Sequence, residues 1–376
     1  MRYSILFIFL FFSIRVAAQN YYMLVGTYTG TGSKGIYVYN FNAETGSAKW
    51  VSNTDSVITN PSYLTPSANG KFVYAVNETN GSNPGKVSAF FFNKSKGTLS
   101  LLNTELSGGD DPCYVATSRD GKWIAVANYT GGSVSVFPVN KDGSLQHFSQ
   151  VMQDSGNGIN KERQEKAHVH ESVFSPDNKF LLTPDLGLDK VMIYNFNTNS
   201  KKPLSPANAP FVKTTAGNGP RHITFHPNGR FAYLISELSG TVTVYNYNNG
   251  KLVEIQQVAA HAAEYKGVIG SAEVVVSPDG NFLYASNRGD ENNIAIFSIN
   301  SSTGKLKPVG YQSIFGKAPR NFIIDPLGNF LLVANQNTDN VVVFKRNKQT
   351  GMLKATGREI RISKPVCLQL VKMRAD

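Results

Sequence analysis

The fold is decided by the stretch PRHITFHPNGRFAYLISE (residues 220–237), because altered copies of it occur five more times in the chain. The other copies are PSYLTPSANGKFVYAVNE (61–78), PCYVATSRDGKWIAVANY (112–129), VHESVFSPDNKFLLTPDL (169–186), AEVVVSPDGNFLYASNR (272–288) and PRNFIIDPLGNFLLVANQ (319–336). A period of about fifty residues is typical of a propeller or a solenoid. The repeat therefore predicts the architecture, and it also allows equivalent positions to be compared between copies.

Each copy predicts a unit of four strands. In the copy 272–288, the apolar run 273–277 leads through the tight turn Pro278-Asp279-Gly280 into a second strand, 281–286. The alternation of apolar and polar residues in 293–299 predicts a half-exposed third strand, and a short outer strand follows it. Helical periodicity is absent nearly everywhere, so the sequence predicts an all-β chain.

The two ends of the chain are predicted to complete one unit together. A seventh innermost strand begins after Pro365, and segments 22–26 and 36–41 supply strands that no repeat copy precedes. Pairing these ends removes an exposed sheet edge. We therefore predict a seven-bladed β-propeller in a single domain, residues 19–376, whose last blade is closed by N- and C-terminal strands. Six or eight blades is the alternative.

The first eighteen residues have the pattern of an export signal. Arg2 precedes the apolar run 5–14, and the small residues 16–18 come before Gln19. The run is too short to cross a bilayer, which takes about twenty residues as a helix. We expect residues 1–18 to be a cleaved signal peptide, with an uncleaved anchor as the alternative. The mature protein is then a periplasmic or extracellular monomer with no other membrane contact.

Composition excludes several classes of function. The formal net charge is +11, but the basic residues are scattered along the sequence. Nucleic-acid binding would require a basic stripe with interleaved aromatic residues, and the sequence does not show one. The two cysteines, Cys113 and Cys367, are too few for a disulfide framework and are expected to be buried as small hydrophobes. The sequence contains neither paired cysteines nor an HExxH element, which are patterns that would predict a metal site. We therefore expect no metal and no cofactor.

Differences between the copies point to one end of the predicted channel. In an antiparallel hairpin, the start of the first strand and the end of the second strand lie together, and the first strand of every blade lines the axis. The asparagines that recur there are expected to be structural: Asn77, Asn128, Asn287 and Asn335. The residues that differ are charged or titratable and come mainly from the third to sixth copies: His168, His170, Glu171, Arg221, His222, Glu237, Glu273, Arg288 and Arg320.

The uneven distribution of these side chains favours a ligand site over a set of salt bridges that plugs the channel. Three guanidinium groups are costly to bury together without anionic partners, and their geometry suits carboxylate or phosphate. We therefore expect a small anionic substrate. Arginines can stabilise an oxyanion, and a nearby Glu or His can accept a proton. Lactone hydrolysis and a lactonising proton transfer are both compatible with this inventory, and composition does not decide between them.

Six segments carry a resemblance to a known family. They are VGTYTG (25–30), ANYTGGSVSVF (127–137), AHVHESVFSPD (167–177), GPRHITFHPNG (219–229), SPDGNFLYASNRG (277–289) and PRNFIIDPLGNFLLVANQN (319–337). With these segments in this order, residues 22–370 resemble the lactonase propeller family. That family includes propeller-type 6-phosphogluconolactonases and fungal carboxymuconate lactonising enzymes.

The resemblance implies a metal-independent lactonase of the 6-phosphogluconolactonase type that hydrolyses a sugar-acid lactone at one face of the channel. It implies four catalytic residues: His170, Arg221, Glu237 and Arg288. The arginines would hold the substrate's anion and the oxyanion, and Glu237 or His170 would activate water. His168 is equally a candidate for the acting histidine of the His-x-His element. We assign substrate contacts to seven further residues: His168, Glu171, His222, Glu273, Arg320, Asn128 and Asp185.

Two alternative functions remain at this stage. One is a carboxymuconate-type cycloisomerase, and the other is a non-catalytic secreted binding propeller similar to YVTN-repeat proteins. Those binding repeats are more uniform and are not expected to place Arg, His and Glu on one face. Glu171 departs from the family pattern, in which a small or basic residue follows the second histidine, so the anion preference stays open.

Overall fold

The computed structural model describes residues 20–30 and 32–373, which form twenty-eight β-strands. In chain order the strands are β1 (Asn20–Thr27), β2 (Tyr37–Asn42), β3 (Ala48–Asn53), β4 (Leu64–Pro66), β5 (Phe72–Asn77), β6 (Lys86–Asn93), β7 (Thr98–Leu106), β8 (Pro112–Thr117), β9 (Trp123–Asn128), β10 (Ser133–Pro138), β11 (Gln150–Gln153), β12 (Val173–Phe174), β13 (Phe180–Asp185), β14 (Lys190–Phe196), β15 (Leu204–Lys213), β16 (Pro220–Phe225), β17 (Phe231–Ser236), β18 (Thr241–Asn248), β19 (Lys251–Ala259), β20 (Ser271–Val276), β21 (Phe282–Asn287), β22 (Asn293–Ile299), β23 (Leu306–Ser313), β24 (Pro319–Ile324), β25 (Phe330–Asn335), β26 (Asn340–Arg346), β27 (Leu353–Arg361) and β28 (Pro365–Lys372). The predicted export signal, residues 1–18, lies outside the described residues. Within those residues, no helix has the length and apolar character needed to cross a membrane.

The strands form seven four-stranded antiparallel sheets, which are the blades of a propeller. Blades 1 to 6 are the consecutive groups β4–β7, β8–β11, β12–β15, β16–β19, β20–β23 and β24–β27. Blade 7 has the order β28-β1-β2-β3, so its innermost strand comes from the C-terminal end of the fold. Strand β1 pairs with β28 from Tyr21 opposite Lys372 to Gly26 opposite Cys367. The predicted all-β propeller with seven blades and a shared last blade is therefore confirmed.

The repeated turn between the first two strands of a blade holds itself together through side chains. In blade 5, the Ser277 hydroxyl donates to Asp279 over 2.7 Å and accepts the backbone N–H of Phe282 over 3.0 Å. Gly280 takes a φ of 73°, in the left-handed region that glycine enters most easily. In blade 3 the equivalent residue is Asn178, with a φ of 59°, which asparagine tolerates better than most side chains.

The hydrophobic core lies between neighbouring blades. On β17, Phe231 and Tyr233 pack toward blade 5, while Ala232 and Leu234 point to the other face, toward blade 3. Each blade is thus covered on both faces. The expectation of a half-exposed third strand in 293–299 is wrong for this reason, since four consecutive residues of β22, from Ile294 to Phe297, are buried.

The innermost strands are joined around the channel by side chains that accept backbone N–H groups of the next blade. Asn321 in blade 6 accepts the N–H of Leu368 in blade 7 over 2.9 Å. Sγ of Cys367 in turn accepts the N–H of Leu64 in blade 1 over 3.3 Å. Glu171 in blade 3 similarly accepts the N–H of Ile223 in blade 4. These side chains thereby give a hydrogen-bonding partner to backbone N–H groups that an innermost strand cannot pair within its own sheet.

Candidate active site

Backbone irregularities bring two consecutive side chains of one strand to the channel mouth. In β16, Pro220 pairs with Ser236 and the next paired residue is His222, so Arg221 is the extra residue of a β-bulge. Arg320 occupies the same place in β24, and Cys113 does so in β8. A bulge changes the direction of the side chains beside it. Residues at two adjacent positions can therefore contribute to one site, as the comparison of the repeats predicts.

Glu237, which follows β17, is the centre of a cluster of arginines. Its carboxylate accepts hydrogen bonds from Arg163 over 2.7 Å and from Arg221 over 2.9 Å, and it forms an ion pair with Arg288 at an N···O distance of 2.8 Å. Burial acts to raise the pKa of Glu237, but the charges of Arg288 and Arg221 outweigh it and hold that pKa well below its usual range. Glu237 is therefore ionised, and both of its oxygens are occupied.

Arg221 is held on two sides and is 1% exposed. Its Nη1 donates to the carbonyl oxygen of Ala272 over 2.7 Å and lies 3.2 Å from Nε2 of His222. Since Arg221 is a donor, His222 Nε2 accepts, and Nδ1 of His222 donates to Glu273 over 2.9 Å. Burial lowers the pKa of His222, which keeps its ring neutral in this arrangement. His222 and Glu273 therefore fix the position of Arg221.

Arg288 follows β21 and reaches Glu237 from blade 5. Its Nε donates to the carbonyl oxygen of Gly270 over 2.9 Å, and its Nη2 contacts the carbonyl oxygen of Ser271 over 3.3 Å. Burial lowers the pKa of Arg288 to about 10, so the group stays charged at neutral pH. Among the described residues, Nη1 of Arg288 and Nη2 of Arg221 have no hydrogen-bonding partner. Two guanidinium nitrogens are thus available to a ligand.

His170 has the least restrained imidazole of the cluster. Its ring centroid lies 5.2 Å from that of His222 and 5.3 Å from that of Tyr129. Nδ1 lies 3.9 Å from Sγ of Cys113, and Nε2 has no hydrogen-bonding partner within the part of the chain that the structure describes. Burial and the charge of Arg221 hold the pKa of His170 well below its usual range. His170 is therefore a neutral base with a free ring nitrogen.

The structure turns His168 away from this base. Its Nε2 lies 3.0 Å from Glu165, its Nδ1 lies 3.2 Å from the carbonyl oxygen of Tyr129, and its ring stacks on the Tyr129 ring. Both ring nitrogens are occupied. The two candidates of the His-x-His element thus differ in geometry, since among the described residues only His170 keeps a ring nitrogen without a partner.

Asn128 and Asp185 do not join the cluster. Nδ2 of Asn128 donates to the hydroxyl groups of Ser133 and Ser135 within its own blade, which is a structural role as expected for the recurrent asparagines, although these partners are side chains. Asp185 is buried and accepts the N–H of His168 over 2.8 Å. Both side chains, for which the sequence suggested substrate contact, are thus engaged by neighbouring residues of the fold and not by the arginine cluster.

Glu171 lies in a second layer beneath the mouth. Burial raises the pKa of Glu171 well above its usual range, which favours the protonated form of its carboxyl group. It hydrogen-bonds the hydroxyl of Tyr114, whose ring stacks on Tyr63 with 3.9 Å between centroids. On the other side of the channel, Glu273 accepts a hydrogen bond from Asn321 over 2.6 Å. This layer forms the floor of the site.

Arg320 forms the opposite wall of the mouth, next to an open recess. Its Nη2 lies 3.9 Å from Glu78, and its guanidinium lies over the ring of Tyr28 at 5.5 Å from the centroid. The Tyr28 hydroxyl donates to the same oxygen of Glu78 over 2.7 Å. The recess has a volume of about 560 Å³ and adjoins Arg320. The predicted position of Arg320 at the site is thereby consistent with the structure.

Some residues of the site were not predicted from the sequence. Arg163 lies in the long segment between β11 and β12, outside the repeat. A signal for it exists, because the turn positions 121 and 178 are further apart than any other neighbouring pair. Tyr63 and Tyr114 occupy the positions of the first two copies that correspond to His222, but they are uncharged and were not among the predicted site residues. In the described ranges, no group of three or more His, Cys, Asp or Glu side chains is arranged to hold a metal ion.

Comparisons with known proteins agree with this geometry. Residues 22–370 match the family model described as lactonase, seven-bladed β-propeller. The chain is 41% identical over 353 residues to a 6-phosphogluconolactonase of Formosa agariphila, covering 93% of this chain and 99% of that protein. It is 36% identical over 350 residues to a 6-phosphogluconolactonase of Bacillus subtilis, covering 92% and 97%.

A solved structure extends the comparison to three dimensions. The structure of a periplasmic gluconolactonase of Pseudomonas aeruginosa superposes with a TM-score of 0.89 at 38% identity, covering 94% of this chain and all of that one. This chain therefore belongs to the lactonase family of seven-bladed β-propellers.

Proposed function

We propose that this protein hydrolyses sugar-acid lactones at the channel mouth, the type of reaction named for its 6-phosphogluconolactonase relatives. The observation that carries the proposal is the pairing of two free guanidinium nitrogens, on Arg221 and Arg288, with the free ring nitrogen of His170. Ester hydrolysis needs donors for a developing oxyanion and a base for the attacking water.

In the proposed reaction, Nε2 of His170 accepts a proton from water while the water oxygen bonds to the lactone carbonyl carbon. Negative charge develops on the carbonyl oxygen, where Arg221 and Arg288 donate hydrogen bonds. The bond from that carbon to the ring oxygen then breaks, and the ring oxygen takes the proton from His170. The product is a hydroxy acid, which ionises and releases one proton at neutral pH.

Glu237 has a different role from the one first considered for it. Both carboxylate oxygens of Glu237 are already engaged by three arginines, so neither is placed to accept a proton from the attacking water. We assign it to holding Arg221 and Arg288 in place before the substrate arrives. Such preorganised charge needs no rearrangement as the oxyanion forms. His222 and Glu273 act in the same way on Arg221, so they are positioning residues.

Proton release from a panel of lactones tests the proposal, with gluconolactone, 6-phosphogluconolactone and carboxymuconolactone as substrates. Arg288→Ala and His170→Gln should each lower kcat/KM by about a hundredfold or more. Arg230→Ala is the matched control, because Arg230 is exposed in the turn at the other end of blade 4. A folded protein that hydrolyses none of the lactones above the spontaneous rate overturns the proposal, as does full activity of both site variants.

We also propose that residues 1–18 direct export and that the protein acts in the periplasm or outside the cell as a monomer. The pattern of those residues supports this, and so does the similarity to a periplasmic gluconolactonase. N-terminal sequencing of the purified native protein should begin at Gln19, and sizing should give one chain. A native N-terminus at Met1 in the cytoplasmic fraction contradicts the export proposal.

A further inference from the structure

We infer that the recess beside Arg320 binds the hydroxylated tail of the lactone and disfavours a phosphorylated one. This inference rests on the proposed lactonase function. The recess adjoins the mouth through Arg320, and its volume of about 560 Å³ is sufficient for a sugar-sized group. A lactone whose carbonyl lies at Arg221 and Arg288 can therefore extend its remaining carbons past Arg320.

The charges at the mouth and in the recess are already balanced. The cationic groups are Arg163, Arg221, Arg288 and Arg320, and the carboxylates that face them or line the recess with them are Glu78, Asp111, Glu237 and Glu273. The lowered pKa values of His170 and His222 and the raised pKa of Glu171 favour the neutral form of each group. Four positive charges are thus matched by four carboxylates, and no surplus positive charge is left for a phosphate dianion.

The walls of the recess are acidic and amide-bearing. Glu78 and Asp111 lie in it, and Oε2 of Glu78 has no hydrogen-bonding partner among the described residues. Asn80 donates to both oxygens of Asp111, over 3.0 and 2.8 Å, and the amide of Gln336 also lines the recess. Hydroxyl groups can donate to carboxylates and exchange hydrogen bonds with amides, whereas a phosphate is repelled by both acids.

Arg320 does not supply a free phosphate-binding charge. It is shared between Glu78 and the face of the Tyr28 ring, and it is the one cationic residue that lines the recess as described. The expectation of an anionic substrate is thereby narrowed. The site binds a neutral lactone, and the anion it accommodates is the carboxylate formed on hydrolysis.

The test compares kcat/KM for gluconolactone and 6-phosphogluconolactone in the full mature chain. The wild-type protein should favour gluconolactone by about tenfold or more, since the dianion meets two acids at short range. Asp111→Asn should reduce that preference about tenfold, and Glu78→Gln should reduce it in the same direction. Asparagine suits position 111, whose φ is 48°, so the variant is expected to fold. Glu44→Gln, an equal change of charge at an exposed site away from the recess, should leave the preference unchanged.

The outcomes separate this inference from the proposed function. Faster hydrolysis of 6-phosphogluconolactone by the wild-type protein overturns the inference and leaves the lactonase function intact. An unchanged preference in both Asp111→Asn and Glu78→Gln, with melting temperatures near that of the wild type, overturns the assignment of the recess. Failure to hydrolyse either lactone overturns the proposed function and the inference together.

Discussion

Replacing Glu237 by Gln removes the one carboxylate that three arginines share. The carboxylate side chain is 8% exposed, and the side chains of Arg221 and Arg288 are 2% and 18% exposed. Water therefore replaces the lost charge poorly, and two buried guanidinium groups remain close together without their partner. Breaking a buried ion pair from one side costs about 3 to 5 kcal/mol.

Arg163 reduces that loss because its side chain is 43% exposed and can turn into solvent. We therefore expect Glu237→Gln to lower the free energy of unfolding by about 3 kcal/mol, the lower end of that range. For a chain of this size, the melting temperature should fall by roughly 4 °C. Lactone hydrolysis should fall by about a hundredfold or more, because the oxyanion donors lose their fixed positions.

The assay combines thermal melting with proton release from the best lactone. Glu254→Gln is the matched control, since it makes the same chemical change on the exposed outer strand of the same blade. If Glu237→Gln melts within about 1 °C of the wild type and keeps its activity, Glu237 does not hold the arginines in the way described.

Three further predictions concern the fold and its buried groups. Burial raises the pKa of Asp185 to about 7, far above that of an unfolded aspartate, so stability should fall as pH rises from about 4 to about 7; Asp185→Asn should flatten the melting temperature across that range, and an unchanged slope contradicts this. Deleting residues 366–376 removes most of β28 and opens blade 7, so the melting temperature should fall by more than about 10 °C, and an unchanged melt argues against closure by β28. Burial raises the pKa of both thiols, Cys113 and Cys367, so a thiol reagent at pH 8 should label them only after unfolding; rapid labelling of the native protein contradicts their burial.

The architecture was predictable because the same pattern of strand and turn residues recurs in six copies. Turn residues such as Pro278 and Gly280 recur at fixed spacing, and the unpaired strand after Pro365 predicts closure by the N-terminal end. The bulged hairpins then carry Arg221 and Arg320 to the channel mouth. Comparison of equivalent positions in the copies therefore predicted most of the cluster.

The direction of a side chain was less predictable than its position. His168 and Asp185 lie at the expected end of blade 3, but their hydrogen bonds go to Glu165 and to local backbone and not to the arginine cluster. Arg163 was missed because the segment that carries it has no counterpart in other blades. Its ion pair with Glu237 spans 74 positions of sequence, and no local pattern reports a contact of that kind.

The side-chain links between innermost strands restrict how this site can change. Asn321 and Cys367 each accept an N–H group of the following blade, and Glu171 does so while forming the floor of the site. A substitution at these positions alters the chemistry of the channel and the joint between two blades at once. Only side chains that place a hydrogen-bond acceptor at the same distance from the backbone keep the neighbouring blades joined. New substrate preferences should therefore arise more readily at mouth positions such as Arg320, or in the recess, than at the floor.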